Sequence, residues 1–130
     1  MKVLSCNYFG KNETIYFNVK RLAELELAIG KPLIQLMSNT QMSLSDMIQV
    51  YTIGMQHIDN GLRTSEFYEE KLQDLIENET YSIGDIMQTA YKVLVASGIL
   101  GKNMYYKLFP KEATQTVKKK LIDEELESKN

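Results

Sequence analysis

The chain has 130 residues, of which 44% are hydrophobic and 25% charged, with a net charge of −2 and a pI near 5.5. That length makes one domain with a true core the default, and the slight acidity argues against a nucleic-acid surface, which carries a basic excess. A single cysteine excludes an internal disulfide and fits a reducing compartment, and no apolar run approaches the ~20 residues of a membrane-crossing helix.

Residues 4–8 and 14–17 are β-prone, and Gly10 and Asn12 between them tolerate positive φ, so the pattern predicts a hairpin. Two strands alone are marginal in water and must rest on helices. Cys6, with too few residues before it for a signal segment, reads as an ordinary strand residue. Asn18 is the expected cap of a helix running to Ile29, with Leu22, Leu25 and Ile29 as its apolar stripe. Lys20, Arg21, Glu24 and Glu26 are left to meet water. Gly30 stops this helix in the left-handed conformation, and Pro32 opens a short one carrying Leu33, Ile34, Leu36 and Met37.

Residues 43–58 form the most regular stretch and the expected centre of the fold. Leu44, Met47, Ile48, Tyr51, Met55 and Ile58 fall on one helical face, Ser43 is the expected cap, and Asp46 lies near the positive end of the helix dipole. Gly54 shares the apolar face, where it predicts that another helix crosses close to the backbone. After the turn signal Asp59-Asn60-Gly61, Thr64 or Ser65 opens a helix with Phe67, Tyr68, Leu72, Leu75 and Ile76 inward. Ser82 opens another, with Asp85 three residues on and Ile83, Ile86, Met87, Ala90, Tyr91 and Leu94 as its stripe, closed by Gly98. The likeness between residues 43–49 and 82–88 is explained by shared helix-start chemistry. A repeat would need a longer period.

The predicted fold class is therefore mainly α: a small helical bundle with a short N-terminal β-hairpin and a mobile, charged C-terminal tail. Residues 1–101 read as the helical domain and 102–130 as an extension, partly disordered or ordered by a partner. Half the residues from Lys111 onward are charged, and Val117, Leu121, Ile122 and Leu126 make only a thin stripe.

No pattern of residues carries chemistry. His57 is the only histidine and no cysteine pair exists, so the residues predict no metal site and no cofactor. His57 reads as a surface or capping residue, and Asp59-Asn60-Gly61 lacks the regular oxygen ligands of a calcium loop. No glycine-rich phosphate loop or serine elbow occurs, and the expectation is a protein that is not an enzyme. The methionines Met37, Met47, Met55 and Met87 either fill the core, the plainer reading, or form an adaptable binding surface. Under the second reading the candidate protein-binding residues are Met47, Met55, Met87, Leu121, Ile122 and Leu126.

Between Thr14 and Leu100 a family pattern emerges. The β-prone start leads into Leu22-Ala23-Glu24-Leu25-Glu26 and Gly30-Lys31-Pro32-Leu33-Ile34-Gln35-Leu36. A helix opening Met42-Ser43-Leu44-Ser45-Asp46 follows, carrying Tyr51, Gly54, Met55 and His57. An acidic helix and a long helix ending at Ser97-Gly98 complete the order. This order resembles the tail assembly chaperones of long-tailed bacteriophages, over roughly two thirds of the chain and in structural motifs only. The resemblance implies a protein of the host bacterial cytoplasm that is not part of the mature virion. It implies binding of the tape measure protein, recruitment of the tail tube protein and homo-oligomerisation into a ring or spiral. In that family a backward ribosomal slip near the gene's end yields a longer minority product, and Lys118-Lys119-Lys120 would supply a suitable site. Neither nucleic acid nor membrane is an expected partner. The competing reading is a small helical regulatory or adaptor protein binding another protein or nucleic acid. Lys118-Lys119-Lys120, its only basic run, is followed at once by acidic residues.

Overall fold

The N-terminal chain turns back on itself because Asn12 adopts φ 63° and donates its backbone N–H to the Asn7 Oδ1 atom at 3.1 Å. Strands β1 (Leu4–Ser5) and β2 (Thr14–Ile15) pair antiparallel, Leu4 opposite Ile15 and Ser5 opposite Thr14. The computed structural model describes residues 2–38, 42–56 and 63–112, with side chains in the second helix described only as far as Leu36. The ladder is shorter than the β-prone runs 4–8 and 14–17, since Tyr8 and Phe9 leave it to join aromatic rings. Phe9, expected in the turn, is buried and meets Tyr51 and Tyr68 edge-on at centroid distances of 5.2 and 4.8 Å.

Among the described residues six α-helices follow: α1 (Val19–Ile29), α2 (Leu33–Ser38), α3 (Leu44–Gly54), α4 (Ser65–Glu77), α5 (Ile83–Ala96) and α6 (Lys102–Leu108). The protein is thus mainly helical with a short antiparallel hairpin at its start, as the periodicity predicts. The caps are local chemistry and fall where the sequence puts them. The side chains of Asn18, Ser43 and Ser82 accept from the backbone N–H groups of Arg21, Asp46 and Asp85 at 2.9, 3.0 and 3.1 Å. Gly30 ends α1 at φ 73°.

Helix α3 is central, packed against α1, α4 and α5. Its buried face differs from the expected one. Tyr51, Met47 and Met55 are buried, but Leu44 is 51% exposed and Ile48 only partly covered, while Val50 and Ile53 are inside. A helix enclosed by neighbours on several sides has no single stripe to read, and Leu44 in its first turn projects beyond them. The helix ends at Gly54 with Met55 as its C-cap, short of the predicted Ile58, which lies outside the described residues along with His57 and Asp59-Asn60-Gly61.

Gly54 is a close crossing, but the crossing element is the hairpin strand rather than a helix. A Cβ there would stand 2.6 Å from the Phe17 ring and 2.8 Å from Ile15, and the Tyr16 N–H donates to the Gly54 carbonyl at 3.1 Å. Arg21, expected in water, caps this helix end. Its guanidinium donates to the carbonyls of Tyr16 (3.3 Å), Gly54 (2.8 Å) and Gln56, and stacks 3.9 Å from the Tyr16 ring. A cation on the last carbonyls satisfies orphan acceptors and meets the negative end of the helix dipole.

Asp46 does more than face the α3 dipole. It is buried, and Lys31 pairs with it at 2.8 Å. Arg63 grips Glu13 with two bonds of 2.7 and 2.6 Å and tops the Phe67 ring at 4.6 Å, tying the hairpin turn to the start of α4. Tyr51 donates its hydroxyl to the Ile86 carbonyl at 2.7 Å, fastening α3 to α5. Besides the predicted Ile86, Ala90 and Leu94, α5 buries Val93, Val95 and Ala96, whereas Ile83 is exposed.

Candidate protein-binding groove

Beside its core stripe, α5 carries a second strip, Met87, Gln88, Tyr91 and Lys92, at the i, i+1, i+4, i+5 spacing of one helical side. The chain then doubles back. Gly98 and Gly101 take φ values of 87° and 89°, open to glycine at no steric cost, and α6 returns along α5. Leu108 from α6, Leu36 from α2 and Met42 ahead of α3 close the other sides. The result is a groove of about 870 Å³. Its described lining is mostly apolar, with Leu36 buried, Met42, Met87 and Tyr91 half-buried and Leu108 exposed, and Gln88 and Lys92 are the polar groups.

A second recess of about 400 Å³ shares Gln88 and Lys92 with the groove and adds Tyr8, Tyr81, Asp85 and Thr89. Its chemistry is polar. Tyr8 and Thr89 join hydroxyl to hydroxyl at 2.7 Å, and Tyr8 meets the Tyr81 ring edge-on at 4.7 Å. Burial pushes the Tyr8 phenol above its ordinary value, with the Thr89 bond opposing, so it stays a neutral hydroxyl. Along α5, then, an apolar trough runs into a hydrogen-bonding recess. In proteins generally, apolar troughs with polar groups at one end are among the surfaces on which peptides and helices dock.

The candidate residues from the sequence separate clearly. Met47 and Met55 are buried in the core, 1% and 0% exposed, and present nothing to a partner. Met87 alone of the three lines the groove. Leu121, Ile122 and Leu126 lie outside the described residues, as does the Met37 side chain. Met42, Tyr91 and Leu108 are groove residues that sequence reasoning missed as such. Tyr91 could have been found, since it stands four residues from Met87, but the groove depends on the fold-back of α6, which no local pattern announces. Among the described residues no group of three His, Cys, Asp or Glu side chains could hold a metal ion, and no helix is long and apolar enough to cross a membrane. Comparison with protein-family models, with curated proteins and with solved structures gives no significant match.

Proposed function

We propose that this protein is a tail assembly chaperone of a long-tailed bacteriophage. In this reading it acts in the host bacterial cytoplasm, holds the aggregation-prone tape measure protein, helps recruit tail tube subunits and does not remain in the finished particle. The supporting observation is the groove along α5. Met42, Met87, Tyr91 and Leu108 offer flexible and aromatic apolar surface for successive apolar residues of a long helical client, and Gln88 and Lys92 offer polar anchors. Thioethers repack against varied side chains, which suits a client that presents many similar segments.

Co-expression with the product of a neighbouring gene encoding a long helical tail protein tests this. The expected result is that the client stays soluble with the wild-type chain and precipitates with Met87→Glu, while both chaperone forms melt within a few degrees of each other. A client equally soluble with and without the chain overturns the reading. Tight sequence-specific DNA binding at physiological salt would instead support a regulator, since background binding is weak and salt-sensitive.

A further inference from the structure

The groove wall made by α6 is held differently from the rest of the fold. Helix α5 buries six residues, whereas α6 buries none, and of its side chains only Met104 is packed against the core cluster. Ile99 and Leu100, just ahead of the helix, rest on that cluster too. Between Leu100 and α6 stands Gly101, at φ 89°, where a Cβ would meet nothing within 4 Å. Backbone rotation is least hindered at such a glycine, which makes it the pivot for the segment that follows.

The far end of the same segment is fastened by polar contacts. The Lys2 ammonium meets the Glu112 carboxylate at 2.5 Å, and the Tyr105 hydroxyl bonds to that carboxylate from within α6. Two cations approach the Phe109 ring, the Lys2 ammonium at 4.6 Å from its centroid and that of Lys92 on α5 at 6.0 Å. The Lys2 and Glu112 side chains are 30% and 41% exposed, and ion pairs as wet as this contribute little and are screened by salt. Few buried apolar contacts closed by an exposed ion pair are the marks of a locally unstable segment. Between pivot and fastening, Leu108 closes one side of the groove.

We propose that residues 102–112 are a hinged wall, pivoting at Gly101 and latched by Lys2, whose release bares Met87 and Tyr91 to a partner helix. The baring of Met87 and Tyr91 rests on the groove being the binding surface, whereas the hinge and the latch do not. The closed wall shelters the apolar trough from random association. Opening it gives up a single contact with the core, that of Met104.

Distances within the full chain test the hinge without any client. Spin labels at Gln73→Cys, on the exposed side of α4, and at Lys107→Cys, exposed on α6, should report one narrow distance distribution. Native Cys6, 3% exposed, takes no label. Lys2→Glu, and separately Glu112→Lys, should add a second population beyond the spread of the first, with helical circular dichroism unchanged. An unchanged distribution overturns the hinge. Loss of helical dichroism overturns it as well, since α6 would then be melting rather than pivoting. An added anilinonaphthalene sulfonate dye tests the groove: its fluorescence should rise several-fold in Lys2→Glu and fall back in Lys2→Glu/Met87→Glu. A second distance population with no gain in dye binding would keep the pivot and overturn the baring of the groove. A client indifferent to the chain, with both results as expected, would overturn the proposed function and not the hinge.

Discussion

At Gly54 two local forces point in opposite directions. Alanine is favoured over glycine inside a helix by ~1 kcal/mol, yet a Cβ here would stand 2.6 Å from the Phe17 ring and 2.8 Å from Ile15, both fully buried. Overpacking of that kind costs ~1–3 kcal/mol, so Gly54→Ala should lower the melting temperature and Gly54→Leu should lower it further. A rise in either would mean the strand stands off the helix. Cys6 gives a second residue-scale test. Buried at 3% exposure, its thiol is pushed from the ordinary 9.0 to about 11, chiefly by desolvation. The folded chain therefore keeps a proton that the unfolded chain gives up first. The stabilisation is full below about pH 9 and is lost as pH rises toward 11. Burial pushes the Tyr51 and Tyr68 phenols up as well, so their contribution has the same sign. Thermal unfolding followed against pH should show stability falling on the alkaline side of 9. A thiol reagent near neutral pH should label Cys6 only after denaturation.

The helices differ in how their ends are closed, and that difference can be measured. At the start of α5, Ser82 and Asp85 bond reciprocally, the Ser82 hydroxyl accepting from Asp85 N–H and the Asp85 carboxylate from Ser82 N–H at 3.1 and 3.2 Å. At the start of α4, the Thr64 side chain makes no cap bond. Ser82→Ala should therefore cost ~1 kcal/mol and Thr64→Ala much less, a contrast that chemical denaturation of the two variants would resolve. Equal losses would mean that Ser82 contributes through something other than its cap. The same contrast explains how much of the fold was legible. Asn18, Ser43, Ser82 and Gly30 act within one turn of themselves, so spacing alone places them. Val50, Ile53 and Phe9 are inside, and Leu44 outside, because of elements distant in sequence. Arg21 reads as a solvated charge until the end of α3 is brought to it. Of the binding candidates, Met87 could be located but Met47 and Met55 could not be told from it, since core and groove positions share one helical period.

At the scale of the whole molecule, the hairpin is too small to stand alone, and its attachment decides whether the protein unfolds as one unit. Several contacts hold it, and three of them tie it to different parts of the core. Ile15 and Phe17 pack over Gly54, Phe9 enters the aromatic cluster with Tyr51 and Tyr68, and Glu13 takes the Arg63 fork at the start of α4. The first two are apolar and tolerant of small shifts. The third is directional: the Glu13 and Arg63 side chains are 11% and 16% exposed, and the pair bridges fifty positions of sequence. Removing one partner leaves a largely desolvated charge unpaired, whereas removing both leaves none. Glu13→Gln and Arg63→Met should each lose ~2 kcal/mol, and the double variant should lose clearly less than their sum. A double-mutant cycle by denaturant unfolding measures that coupling. If the two losses simply add, the fork is incidental and the hairpin is held by its apolar face and its other hydrogen bonds. With real coupling, Arg63→Met should also broaden the unfolding transition, because a hairpin released from α4 can open ahead of the helices beneath it. Hydrogen exchange would locate that opening, as lost protection at Cys6 N–H, which donates to the Glu13 carbonyl at 2.8 Å, with α5 amides unchanged.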